Sequence, residues 1–228
     1  MADAAHLDRR ARELTLASLL TSYPEHELEA VLENFGDALG RYPGAGALHD
    51  ELQRAGLDDV RSRYLELFDR GGDRASLYET EYGRMRGMAK GTGLADIAGF
   101  YRAFAVGLDD ERAHELCDHI AVELEFYAWL LLKQAWLVQH GDDQGASLVE
   151  DARCKFLKEH LGSFAPAIAL RREVQQDPVY GGVFGWCAAL VREECVALGV
   201  TPAPLDFFAD AELGEEMKCG SVHLPVVG

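Results

Sequence analysis

Apolar residues recur at intervals of three and four along most of this chain, the period of an α-helix with one buried face. Leu7, Leu14, Ala17 and Leu20 predict a first helix over residues 4–20. Pro24 suits the first turn of a second, with Ser22 and Glu25 spaced as a capping box. The GRYPGAG stretch at 40–46 predicts a loop, followed by helices over 48–55 and 58–68 with Gly56 as the stop between them. Gly71-Gly72 breaks the pattern, and the glycines at 83, 87, 91 and 93 predict a surface loop before a helix over 97–106. Asp109, Asp110 and Glu111 suit the first turn of the helix after that.

The most regular segment runs from about 118 to 139, where Ile120, Leu124, Tyr127, Ala128, Leu131, Ala135 and Val138 form one continuous face. A polar loop at 140–144 precedes helices over 145–160 and 164–174. Asp177-Pro178, an N-cap followed by proline at the first helical position, opens a last helix that stops at Gly199. Period-two alternation and β-α-β rhythm are both missing. The pattern predicts an all-α, single-domain helical bundle over 1–205 with an acidic, mobile tail over 206–228.

Composition narrows the partners. With 48% apolar residues in 228, the chain is long enough to bury roughly 70% of its unfolded surface without a metal or disulfide staple. Lys+Arg 22 against Asp+Glu 39 leaves a net charge of −17. That surface repels phosphate backbones and anionic membranes and attracts basic partners. The cysteines at 117, 154, 187, 195 and 219 are odd in number and lack a C-x-x-C, which predicts free thiols in a reducing compartment. Arg9-Arg10 is flanked by Asp8 and Glu13 and followed by no long apolar run, so it does not read as an export signal. No run is long enough to span a membrane, and a cytoplasmic location is expected.

Three groups of residues stand out. Asp118, His119 and Glu123 open the 118–139 helix; the ordinary explanation is an N-cap at Asp118 and a surface His119–Glu123 pair worth ~0–1 kcal/mol. At helical spacing His119, Glu123, Phe126 and Leu130 share a stripe beside the core face, and an acid, an imidazole and two apolar groups together suit the wall of a groove for a basic, apolar peptide. His119 and Glu123 could also ligate one metal ion, as in a small metal-dependent helical enzyme, but two ligands do not complete a site. GMAKGTG at 87–93 has the wrong order for a phosphate loop and no strand before it. Tyr78, Glu79 and Tyr82 in LYETEY, with Tyr101, have the amphipathic character of a wet recognition surface; core packing accounts for Phe100 and Phe104. Cys219 and His223 in the tail could ligate something, but free mobile residues are the ordinary explanation. No nucleophile elbow is present, so no catalytic residue is assigned.

LYETEYG at 77–83, LADIAGFYRAFAVGL at 94–108 and ELCDHIAVELEFYAWLLLKQA at 115–135 resemble the TorD/DmsD/NarJ redox-enzyme maturation chaperones. The last segment is the most specific, matching an E-x-P-D-H-x-x-x-E-L-x-F pattern at Glu115, Asp118, His119, Glu123, Leu124 and Phe126, with Cys117 in place of the usual proline. The resemblance implies a cytoplasmic chaperone that binds the apo catalytic subunit of a molybdenum-containing reductase or dehydrogenase, through its twin-arginine leader or its body. It would hold that subunit for molybdenum cofactor insertion, in company with cofactor biosynthesis proteins, and would carry no cofactor itself. The segments look closest to the subgroup serving type II enzymes of the dimethyl sulfoxide reductase family. Asp118, His119, Glu123, Phe126, Tyr78, Glu79, Tyr82 and Tyr101 are then the expected client-binding residues.

Overall fold

The computed structural model describes residues 3–69, 75–83, 90–107 and 115–205, without the side chains of 36–38 and 43. The tail at 206–228, Asp109 to Glu111 and the first half of GMAKGTG lie outside the described residues. Helices account for nearly all the rest: α1 Ala4–Thr21, α2 Glu27–Phe35, α3 Pro43–Ala55, α4 Leu57–Phe68, α5 Lys90–Ala103, α6 Ile120–Gln139, α7 Asp143–Phe156, α8 Gly162–Ala169, α9 Arg172–Gln176 and α10 Tyr180–Leu198. A π-helical turn, Leu157–Leu161, joins α7 to α8 without a break. Among the described residues the β content is one isolated bridge, Tyr78 to His119. The fold is all-α.

Most ends fall where backbone chemistry puts them. Gly56 (φ 86°) and Gly199 (φ 65°) adopt the positive φ that ends a helix cheaply only in glycine. Asp177 Oδ1 accepts from the N–H groups of Val179 and Tyr180 at 2.9 and 2.8 Å. Three expectations are corrected. Pro24 precedes α2 instead of entering it, and Ser22 caps the end of α1, its hydroxyl bonding Ser18 O at 2.9 Å. The 40–46 stretch is helical from Pro43, which takes the N1 position where its missing N–H costs nothing. Helix α5 begins at Lys90, seven residues earlier than Ile97, so Gly91 and Gly93 lie inside it.

Helix α6 is the axis of the molecule. It packs along α1 on one side and α7 on another, while α10 closes the bundle against α8, α3 and α1. Its predicted core face is buried apart from the half-buried Val138, but so are Ala121, Glu123, Phe126, Leu130, Gln134 and Leu137 on its other sides. A buried polar network locks α1, α6, α7 and α10 together. Glu194 accepts from Arg10 Nε at 2.8 Å, Arg153 Nη2 at 2.6 Å and the Tyr127 hydroxyl at 3.0 Å. Burial alone would raise the Glu194 pKa; the Arg10 hydrogen bond and the two guanidinium charges outweigh it and hold the carboxyl below its ordinary range. Removing one partner would strand a buried charge, so the network fixes how α1, α6, α7 and α10 pack. Among the described residues no helix is long and apolar enough to cross a membrane. Cys117, Cys154, Cys187 and Cys195 are free thiols, and burial pushes Cys187 up to about 12.

Candidate functional site

The two most distinctive segments, LYETEY and CDHIAVE, are clasped together. Glu79 N–H donates to Asp118 O and Ile120 N–H to Leu77 O, both at 2.9 Å. Asp118 Oδ2 then accepts from Thr80 Oγ1 at 2.6 Å and Thr80 N–H at 3.2 Å. Asp118 is thus the pin between the segments and not the N-cap of α6. That cap is His119, whose Nδ1 accepts the Ala121 N–H at 3.2 Å, leaving the ring proton on Nε2. Burial lowers the His119 pKa, which matches a neutral ring, though Glu115 and Asp118 pull the other way. Tyr101 reaches in from α5 and donates to Cys117 O at 2.8 Å. Cys117 therefore stands in a turn held from both sides, without the stiffness a proline would add.

One side of the clasp is sealed. Glu79, Thr80, Asp118 and Glu123 are at most 2% exposed. Among the described residues the Glu123 carboxyl makes no hydrogen bond of normal geometry, and Glu79 stands within reach of its proton. Burial first, then the charges of Glu79 and Asp118, raise its pKa well above the ordinary value, which favours the neutral form of the acid. Behind Glu79 lies His160, its Nδ1 3.0 Å from Glu79 Oε2. Burial would depress the His160 pKa, but the Glu79 hydrogen bond and charge, with Asp96 and Glu159, outweigh it and raise it. Phe126 stacks with Trp129 and meets Tyr101 at 4.4 Å and Phe156 at 5.1 Å between ring centres. Tyr82 donates to Ser76 O at 2.6 Å and packs on Phe164.

The other side opens. A hollow of about 440 Å³ is lined by Tyr23, Tyr64, Phe68, Leu77, Tyr78 and His119, with Glu25, Asp69 and Glu115 as its acids. Tyr78 packs edge-on against His119, ring centres 5.1 Å apart, and its hydroxyl donates to Glu115 in a short hydrogen bond. Burial and that bond raise the Tyr78 pKa, so the phenol stays protonated.

The sequence-predicted residues therefore divide. His119 and Tyr78 meet in the hollow. Glu79, Asp118, Glu123, Phe126, Tyr82 and Tyr101 lie behind it in the protein interior. The expected stripe beside the core, His119, Glu123, Phe126 and Leu130, is itself core, because neighbours cover α6 everywhere but along the stripe of Glu125, Leu132, Lys133 and Trp136. His119 and Glu123 do not converge as a metal pair: the first caps its helix and the second faces Glu79. Tyr64 and Phe68, one turn apart on α4, belong to the hollow and were invisible to spacing, since they read as an ordinary core face. Glu115 carried a signal, being part of the matched pattern.

Comparison with known proteins places these segments in context. The family model described as the nitrate reductase delta subunit matches residues 12–169. The chlorate reductase assembly chaperone protein of Ideonella dechloratans is 35% identical over 135 residues, covering 57% of this chain and 67% of the relative. The selenate reductase assembly chaperone protein of Thauera selenatis is 32% identical over 155 residues, covering 63% and 77%.

Proposed function

This chain belongs to the nitrate reductase delta subunit family, and from that premise we propose that it is an assembly chaperone with no catalytic step of its own, whose client is the catalytic subunit of a molybdenum-containing reductase or dehydrogenase. The relatives assemble a chlorate and a selenate reductase by name, which supports a client of that class. We infer further that the client is taken up in the cytoplasm, through its twin-arginine leader, and held until molybdenum cofactor is inserted, with cofactor biosynthesis proteins as transient partners.

The observation that carries this reading is the acid-rimmed aromatic hollow on the clasp. A leader presents two arginines followed by an apolar run. Asp69 and Glu115 suit the guanidinium groups, the half-buried Tyr78 offers a ring on which one can stack, and Glu25 with the Tyr23 ring already holds the guanidinium of Arg61 in this way, at 3.6 and 5.6 Å. Phe68 and Leu77 suit the apolar residues that follow. In this assignment Tyr78 touches the client, while His119, which packs edge-on behind it, and Asp118, Glu79, Glu123, Phe126, Tyr82 and Tyr101 act by positioning it. Burying three apolar side chains supplies roughly 5–9 kcal/mol. Association costs of ~4 kcal/mol or more leave an affinity nearer micromolar than picomolar, as a holder that must release its client requires.

The test is calorimetry of the full chain with a synthetic twin-arginine leader peptide. Glu115→Gln and Asp69→Asn, each combined with Glu25→Gln, should weaken binding by about tenfold with an unchanged helical signal. Replacing the peptide's two arginines with alanine should produce a comparable loss. Undiminished binding by both double variants would refute the hollow as the leader site.

A further inference from the structure

A second group of converging side chains lies outside the hollow and plays no part in the chaperone reading. Asp96 of α5 and Glu159 and His160 of the π turn bring two carboxylate oxygens and one imidazole nitrogen within 4.8 Å of one another. Two of these residues are exposed acids, common on so acidic a surface. The third is not ordinary. His160 is 1% exposed, yet its buried Nε2 makes no hydrogen bond. It faces Asp96 Oδ2 at 3.4 Å, in a contact without hydrogen-bond geometry. Its other nitrogen is fixed by Glu79 at 3.0 Å.

We propose that Asp96, Glu159 and His160 bind a divalent first-row transition cation, Zn²⁺ or Mn²⁺ being the nearest chemical fits, and that Glu79 is the positioning residue that orients the imidazole. A histidine that ligates a metal through one nitrogen almost always gives its other nitrogen to a carboxylate, the arrangement Glu79 and His160 already have. One imidazole with two carboxylates favours a transition ion over Mg²⁺ or Ca²⁺, which prefer oxygen alone. Asp96 and Glu159 reach solvent, so the ion has an entry path, and three protein ligands leave a position for water. The local backbone supports the assignment. Glu159 and His160 are neighbours in sequence, and the π turn, a distortion that gathers at functional sites, is where both turn toward Asp96. A bound cation would tie α5 to the α7–α8 junction directly behind the clasp.

The test is titration of the chelator-stripped full chain with ZnCl₂ and with MnCl₂, followed by calorimetry and by the ¹⁵N resonances of His160. Expected are one ion per chain and a shift of His160 Nε2. Asp96→Asn and Glu159→Gln, both at exposed positions, should each weaken binding by about tenfold or more with helical content unchanged. The proposal is overturned by the absence of saturable binding of either ion. It is equally overturned if both carboxamide variants bind as the wild type does, which would put the ion elsewhere, for example on Cys219 and His223. Protons on both His160 nitrogens at saturating cation would also overturn it, leaving an imidazolium bridging Glu79 and Asp96.

Discussion

Glu123 is surrounded by Glu79, Asp118 and Cys117 and has no cation against it. Its folded pKa is raised above the ordinary 4.5, so the folded protein binds a proton there that the unfolded chain has released. The stability this group contributes is complete below about pH 4.5 and is lost as pH rises toward the folded value. Glu123→Gln keeps the shape and the neutrality. Urea titrations across pH should therefore show the variant equal to wild type near pH 4.5. Above that it should become the more stable by up to ~1.4 kcal/mol per pH unit until the folded pKa is passed. Parallel curves would mean that Glu123 is ionised in the fold. The spacing of His119 and Glu123 suggests an ion pair because helical periodicity sees only neighbours on one helix. The groups that decide the charge of Glu123, Glu79 above all, come from a segment far upstream, and no local pattern reports them.

The helices themselves were legible from their period: α1, the Gly56 break, and the long α6 and α10 all follow their apolar spacing, although His119 and not Asp118 caps α6, and α10 begins at Tyr180, two residues past Pro178. Glycine misled in the opposite direction. Gly91 and Gly93 read as loop residues, yet α5 contains both, because tertiary contact of Gly93 and Ile97 with the core outweighs a propensity penalty of ~1 kcal/mol per glycine. The π turn had no signature at all, although Gly162 is its consequence. A Cβ there would sit 2.2 Å from Leu157 O and 2.8 Å from Pro202 Cγ. The carbonyl is backbone and cannot rotate away. Gly162→Ala should cost roughly 1–3 kcal/mol in urea denaturation, with leader affinity of the folded variant within about twofold of wild type. A neutral substitution would mean that the π turn relaxes freely.

At the scale of the molecule, the fold class and the family segments were readable from sequence, but the position of the open face was not. Most of the motif helix is buried and its solvent-facing stripe is Glu125, Leu132, Lys133 and Trp136, while the hollow lies beyond its N-terminus, where α4, the LYETEY turn and the residues before α6 meet. A net charge of −17 draws a basic segment toward the molecule from any direction. The hollow offers it acids and aromatic rings together. Backbone amide hydrogen exchange of the full chain, with and without a twin-arginine leader peptide, tests this most directly. The account predicts that added protection concentrates in residues 23–25, 64–69, 77–79 and 115–119, with α7, α9 and α10 unchanged; protection centred on α7 or α10, with none at 64–69 and 115–119 under saturating peptide, would contradict it.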